Sequence, residues 1–199
     1  FHSSCLCSAH YRMTADYVVL GGSKGCDLTP DFMNDATARK VEVVLHEDWH
    51  TNHSNWAGGA VSRPIAEATA SFVGHFGAVE FTKNHFGERS WVYREALKNR
   101  DNRINYAYTI NNLYDKLKDV YTSRRSFEDK LKRKAEILEE VGLPSFNNAT
   151  IMQEYLYTKY FEHVMRVYSS TELNVLETIE LLKKVPANKS DAEEFLDKY

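Results

Sequence analysis

The chain has 199 residues, of which 43% are hydrophobic and 27% are charged, and its net charge at pH 7 is −3. This composition is typical of a folded globular protein and excludes a disordered chain. The slightly acidic balance argues against a general nucleic-acid-binding protein, which would carry a basic excess. No apolar run approaches the roughly 20 residues that cross a bilayer, so we expect no transmembrane segment.

The length and the absence of internal repeats predict a single domain over residues 1–199. Residues 1–16 lack periodicity and are predicted to form an N-terminal arm. The stretch "ADYVVLGG", from Ala15 to Gly22, is the one clear strand candidate, because β-branched and aromatic residues are closed by two glycines. The fold is therefore predicted to begin with a short β segment.

The three cysteines Cys5, Cys7 and Cys26 are an odd number without the spacing of a zinc knuckle. A disulfide scaffold is therefore not expected, although a single bridge between the arm and Cys26 stays open. The chain shows no basic-then-apolar leader, so we expect any targeting segment to lie outside it.

Two helices are predicted in the first half of the chain. Thr29, Pro30 and Asp31 combine a capping oxygen, a proline at the first helical position and an acid in the first turn, and nothing breaks the helix until about Thr51. A second helix begins at Pro64 and is apolar on most sides, which is typical of a buried helix. Its glycines, Gly74 and Gly77, predict close packing against another helix.

The second half is charged and helical. Residues 88–142 are predicted to form a charged helical hairpin whose second helix is capped near Ser126. One helix is then expected from about Asn147 to Tyr168, and another after it with Ser169 and Glu172 as a capping box. The fold class predicted from these patterns is mainly α.

The sequence "HEDWH" closes the first predicted helix. His46 and His50, at positions i and i+4, lie one above the other on one helix face, where two imidazoles can hold one zinc ion. Glu47 lies about 100° further round, from where it could take a proton from a water on the metal. The alternative is a polar helix end whose histidines merely face water.

A catalytic zinc site needs a third protein ligand. The extended pattern H-E-x-x-H-x-x-G-x-x-H fails, because residue 53 is histidine and residue 56 is tryptophan. His53 would share the face of His46 if the helix continued, but Asn52 and Ser54 argue that it ends. Glu67 is the third candidate, because a glutamate among the small apolar residues of the second helix is costly to bury without a positive partner.

These motifs together resemble a known family. "HEDWH" followed by "EATASFVGHFGAVEF" is similar to the paired motifs of the predicted bacterial zinc aminopeptidases, metallopeptidases of the glutamate-zincin type. "YVVLGG", the hairpin sequence "LYDKLKDVYTSRRSFEDKLKRKAEIL" and "FNNATIMQEYLYTKYF" resemble further family segments in the same order. The resemblance runs from about Tyr17 to Tyr168. It departs from the family at Trp49, at Ala66 and in "YLYTK".

The resemblance implies a zincin-like metallopeptidase core with His46, His50 and Glu67 as zinc ligands and Glu47 as the general base. It also implies that Tyr157 is the hydroxyl donor that stabilises the oxyanion. Helical spacing makes Tyr160 a rival, because it would lie on about the same helix face. Asn147 and Asn148 would be substrate-pocket amides by this analogy, whereas their sequence position predicts helix caps.

The expected function is therefore zinc-dependent hydrolysis of a peptide substrate, as in an aminopeptidase. Two alternatives stay open: a domain that retains zinc without peptidase activity, and a metal-free helical interaction domain. The resemblance is compatible with a bacterial cell envelope or periplasm, while the residues leave the compartment, the oligomeric state and the natural substrate open.

Overall fold

The computed structural model describes residues 30–54 and 61–199, without the side chains of residues 53 and 54. Helices make up 80% of these residues and no strand occurs among them, which confirms the prediction of a mainly α fold. The predicted strand from Ala15 to Gly22, the arm over residues 1–16 and the three cysteines lie outside the described residues.

The described part of the chain contains nine α-helices and one π-helical turn. They are α1 (Pro30–Asn34), α2 (Thr37–Trp49), the π-helical turn (His50–Ser54), α3 (Arg63–Phe86), α4 (Trp91–Thr122), α5 (Phe127–Glu140), α6 (Asn148–Thr158), α7 (Phe161–Ser170), α8 (Val175–Leu182) and α9 (Lys189–Asp197). None of these helices combines the length and the apolar character needed to cross a bilayer.

The first predicted helix is interrupted. A carboxylate oxygen of Asp35 accepts a hydrogen bond from the backbone N–H of Ala36 at 2.8 Å. Such local bonds offer the backbone an alternative to the helix, and they separate α1 from α2. At its C-terminal end the predicted helix does not stop near Thr51 but continues as the π-helical turn to Ser54. The predicted start at Pro30 is therefore confirmed, whereas the prediction of one unbroken helix to about Thr51 was wrong.

Helix α3 is the central element, and α2, α4, α6, α7 and α8 all pack against it. It is apolar on most sides, as predicted, and its buried residues join those of the later helices in the largest core cluster, which includes Ile65, Ala68, Phe72, Phe76, Phe161, Val164, Leu182 and Leu196. Burial of this large apolar surface holds the helices together.

Two glycines allow α2 to lie unusually close to α3. A Cβ on Gly74 would lie 2.9 Å from the carbonyl oxygen of Glu42 and 3.2 Å from Cβ of His46, while a Cβ on Gly77 would lie 3.1 Å from Cδ1 of Leu45. This confirms the predicted close packing. The approach brings the backbone that carries His46 directly against α3.

The predicted hairpin corresponds to α4 and α5. Ser126 caps α5 as expected, since its hydroxyl accepts a hydrogen bond from the N–H of Asp129 at 3.1 Å. The middle of α4 packs into the main core through Ala107. Its second half joins α5 and α6 in a separate cluster formed by Ile110, Leu113, Leu117, Val120, Ile137, Leu138 and Ile151.

The helix expected from Asn147 to Tyr168 is divided into α6 and α7 at Lys159 and Tyr160. Asn147 does cap α6, because its side-chain oxygen accepts a hydrogen bond from the N–H of Thr150 at 2.9 Å. The capping interpretation of Asn147 is therefore confirmed. The side chain of Asn148 accepts hydrogen bonds from the hairpin, including one from the hydroxyl of Tyr121 at 3.1 Å.

The predicted capping box of Ser169 and Glu172 was wrong. The hydroxyl of Ser169 donates to the carbonyl of Met165 within α7. Glu172 and Leu173 adopt φ values of 52° and 63°, which turn the chain before the next helix can begin. Asn174 then caps α8 by accepting a hydrogen bond from Glu177 N–H at 3.1 Å.

Candidate metal site

Two imidazoles and one carboxylate converge where α2 meets α3. Nε2 of His46 and Nε2 of His50 are 3.1 Å apart, and Oε2 of Glu67 lies 3.2 Å from the His50 nitrogen and 3.5 Å from the His46 nitrogen. These three residues form a group of side chains that could hold a metal ion. The structure thus brings together the three ligands expected from the sequence. The imidazole of the other candidate, His53, lies outside the described atoms.

The tight contact between the two helices positions the histidines. Gly74 lets the His46 backbone approach α3, and Trp49, which lies between the two histidines in sequence and next to His50, is buried. The indole N–H of Trp49 donates to the hydroxyl of Thr69 at 3.0 Å, only two residues beyond Glu67. The bulky Trp49 therefore joins α2 to α3 beside the site.

Ion pairs support the site on both helices. Nε of Arg63 lies 3.7 Å from Oε1 of Glu67, so the oxygen that faces away from the histidines has a cationic neighbour. One turn before His46, the buried carboxylate of Glu42 contacts Arg39 and lies 3.2 Å from Nε2 of His75 on α3. The ligand-bearing turns of α2 and α3 are thus held by polar contacts as well as by packing.

Burial and the charges of neighbouring groups shift the pKa values of the three candidate ligands in different directions. Burial lowers the pKa of His46 to about 4, so its imidazole is neutral. Burial also lowers the pKa of His50, but the hydrogen bond and charge of Glu67 outweigh it and the pKa is raised. For Glu67, burial opposes ionisation, yet the hydrogen bonds from both histidines hold its pKa well below the usual carboxyl range. A metal ion at this position would replace a proton between His50 and Glu67.

Glu47 lies at the edge of the group. Its Oε1 is 3.9 Å from Nε2 of His46, further from that nitrogen than the oxygen of Glu67. Burial raises the pKa of Glu47 to about 7. A carboxyl with a pKa near neutrality can both accept and release a proton under physiological conditions.

Tyr157 is buried on the last turn of α6. Its backbone carbonyl accepts a hydrogen bond from the guanidinium of Arg103 at 2.9 Å, and the same Nη2 donates to the hydroxyl of Ser71 at 3.1 Å. Ser71 lies one helical turn beyond Glu67 on the same face of α3. The backbone of Tyr157 is therefore tied to the metal-site helix, while the role of its hydroxyl stays a prediction.

Tyr160, the alternative candidate for the oxyanion donor, contacts a residue on another helix. The hydroxyl of Tyr160 donates a hydrogen bond to the carboxylate of Glu193 on α9. Burial, together with this bond, raises the pKa of Tyr160 well above its usual range. This contact makes Tyr160 a link between the end of α6 and the C-terminal helix.

Sequence reasoning missed Arg103 and the bond between Trp49 and Thr69. Arg103 is only 8% exposed and its guanidinium lies over the ring of Phe161 at 5.5 Å. A signal was present, because Arg103 lies seven residues after Ala96 and four before Ala107, in register with the buried face of α4. A cation in that register predicts a buried polar contact, but the partner depends on the packing of α3 and α6.

Comparisons with known proteins return no match: no protein-family model, curated protein or solved structure matches this chain. The fold class and the candidate site therefore rest on the structure alone. The described part of the chain is mainly α-helical and contains a His46–His50–Glu67 group that could hold a metal ion.

Proposed function

We propose that this protein is a zinc-dependent metallopeptidase of the zincin type. The observation that carries the proposal is the convergence of His46, His50 and Glu67, all within 3.5 Å, with Glu47 beside them. Two histidines and a glutamate from consecutive helices are the ligand set of one class of catalytic zinc sites. The family resemblance of the motifs supports the same assignment.

The spacing of the donor atoms fits zinc. Two atoms bound to one tetrahedral zinc ion at about 2.0–2.1 Å are separated by about 3.3–3.4 Å. The three separations observed here are 3.1, 3.2 and 3.5 Å, on either side of that value. Nitrogen and carboxylate oxygen donors also suit zinc better than magnesium or calcium, which prefer oxygen ligands alone. These separations and donor types support the assignment of zinc to the site.

The proposed peptide hydrolysis assigns a role to each of the residues around the site. A bound zinc ion would lower the pKa of a water molecule and polarise the scissile carbonyl. Glu47 would accept the proton of the attacking water and deliver it to the leaving amine, as its pKa near 7 allows. Tyr157 is our candidate for the hydroxyl that stabilises the oxyanion.

Metal analysis is the first test. Protein purified without added metal should contain about one zinc ion per chain, the number that one such site binds. His50→Ala and Glu67→Ala should lose it, because each removes a ligand. His85→Ala is the matched control, since this exposed histidine lies near the far end of α3 and its loss should leave the zinc content unchanged. Wild-type protein without stoichiometric metal would favour the metal-free interaction domain.

Peptide turnover is the second test. The wild-type protein is incubated with a peptide library and the products are identified by mass spectrometry, which also shows which end of the peptide is attacked. Glu47→Gln should abolish turnover while the zinc content stays that of the wild type, because the amide preserves the volume but cannot accept the proton. A zinc-loaded protein that cleaves no peptide would favour the non-proteolytic alternative.

A further inference from the structure

The tip where α3 ends and α4 begins, residues 81–98, carries exposed aromatic side chains. Phe81, Phe86 and Trp91 are 45%, 41% and 57% exposed. The ring of His85 stacks on Phe81 at 5.4 Å and meets Phe86 edge-on at 4.7 Å, so these rings form a continuous surface. Clustered exposed apolar groups of this kind mark interaction sites more often than isolated ones do.

The same tip is basic in an acidic protein. Residues 81–98 contain four cationic and two acidic side chains, a net charge of +2, whereas the whole chain has a net charge of −3. One of the acids, Glu88, pairs with Lys83 at 3.1 Å. Arg89, Arg94 and Lys98 are exposed, and they form no ion pair with any residue that the structure describes.

The helical register places these groups together. Trp91, Arg94 and Lys98 are at positions i, i+3 and i+7 of α4 and lie on one face. Phe86 precedes Trp91 by a short turn in which the N–H of Gly87 bonds to the carbonyl of Lys83. Exposed tryptophan and phenylalanine flanked by arginine and lysine suit the boundary between lipid headgroups and acyl chains.

We propose that this tip binds the surface of an anionic lipid bilayer. Phe86 and Trp91 enter the headgroup region, and Arg89, Arg94 and Lys98 contact the lipid phosphates. From Glu67 to Phe86 the axis of α3 measures about 28 Å, at 1.5 Å per residue. The candidate metal site therefore lies near the other end of the helix, away from the membrane-binding tip. This proposal is independent of the peptidase assignment.

Vesicle binding tests the proposal on the complete chain. Protein is mixed with vesicles of phosphatidylcholine alone or of phosphatidylcholine with phosphatidylglycerol, and binding is measured by co-sedimentation. We expect binding to the anionic vesicles only, weakened by added salt. In a Trp56→Phe background, binding should shift the tryptophan emission to shorter wavelength, and Trp91→Phe should remove the shift, because the remaining Trp49 is already buried.

Two double variants and a control separate the contributions of the aromatic and the basic side chains to vesicle binding. Phe86→Ser with Trp91→Ser should abolish binding, and Arg94→Gln with Lys98→Gln should weaken it about 30-fold. The control is Leu173→Ser with Leu176→Ser. These leucines are 61% and 70% exposed but lie among the acids Glu172, Glu177 and Glu180, so binding should not change.

Three results would overturn the proposal. The first is an absence of binding to anionic vesicles, and the second is binding that the Phe86→Ser, Trp91→Ser variant retains. The third is tighter binding of single-stranded DNA than of the vesicles, with the same variant dependence, which would assign the tip to nucleic acid. Circular dichroism shows that each variant is folded, and co-sedimentation of the wild type requires no variant.

Discussion

Replacing Gly74 by alanine tests whether the approach of α2 to α3 positions the metal ligands. An alanine is favoured over glycine inside a helix by about 0.8–1.0 kcal/mol. The new Cβ, however, would lie 2.9 Å from the backbone carbonyl of Glu42 and 3.2 Å from Cβ of His46. Neither atom is the end of a flexible side chain, so the two helices must separate.

Overpacking of this kind costs about 1–3 kcal/mol, so Gly74→Ala should lower the free energy of unfolding by up to about 2 kcal/mol. Gly77→Ala is the matched control one turn along the same helix. Its Cβ would meet Cδ1 of Leu45 at 3.1 Å, and that methyl group can rotate away. Gly77→Ala should therefore be neutral, or more stable by up to about 1 kcal/mol.

Urea denaturation of the metal-free proteins measures the difference, and competition with a chelating dye measures zinc affinity. Because Gly74→Ala displaces the helix that carries His46, we expect its zinc affinity to fall about 10–100-fold, as for other residues that orient a ligand. Gly77→Ala should bind zinc like the wild type. The reasoning is refuted if Gly74→Ala is as stable as Gly77→Ala and binds zinc with unchanged affinity.

Three further predictions concern the surroundings of the site. Trp49→Phe should lower the free energy of unfolding by at least about 1 kcal/mol in urea denaturation, because it removes the hydrogen bond to Thr69; equal stability would show that this bond contributes nothing. Tyr157→Phe should lower peptide turnover by about 10²–10³ with zinc retained, whereas Tyr160→Phe should leave turnover unchanged; the reverse pattern would move the role to Tyr160. The hydrogen bond from Tyr160 lowers the pKa of Glu193, so its stabilising contribution is present above the usual carboxyl pKa and is lost as the pH falls through the lowered pKa. The stability difference between wild type and Tyr160→Phe should therefore shrink on acidification in denaturation curves recorded from neutral to acid pH, and a difference that grows instead would contradict this.

The local patterns of the sequence determined the helical class, and several element boundaries, from short-range chemistry. Proline at the start of α3, serine before α5 and asparagine before α6 act within a few residues of their own position, so they can be identified without the fold. The same holds for His46 and His50, because the pitch of one helix places their rings together. Glu67 could be proposed because a glutamate in an apolar helix requires a positive partner.

The remainder had two causes. A local bond at Asp35 and the positive φ values at Glu172 and Leu173 moved element boundaries that periodicity alone placed elsewhere, and tertiary packing decided the contacts that support the site. Arg103 contacts Ser71 and Tyr157, which are 32 and 54 residues away in sequence. Such contacts depend on the relative positions of α3, α4 and α6, which no short window of sequence contains. The candidate metal site is predictable where a single helix determines the geometry, whereas its supporting contacts depend on how several helices pack.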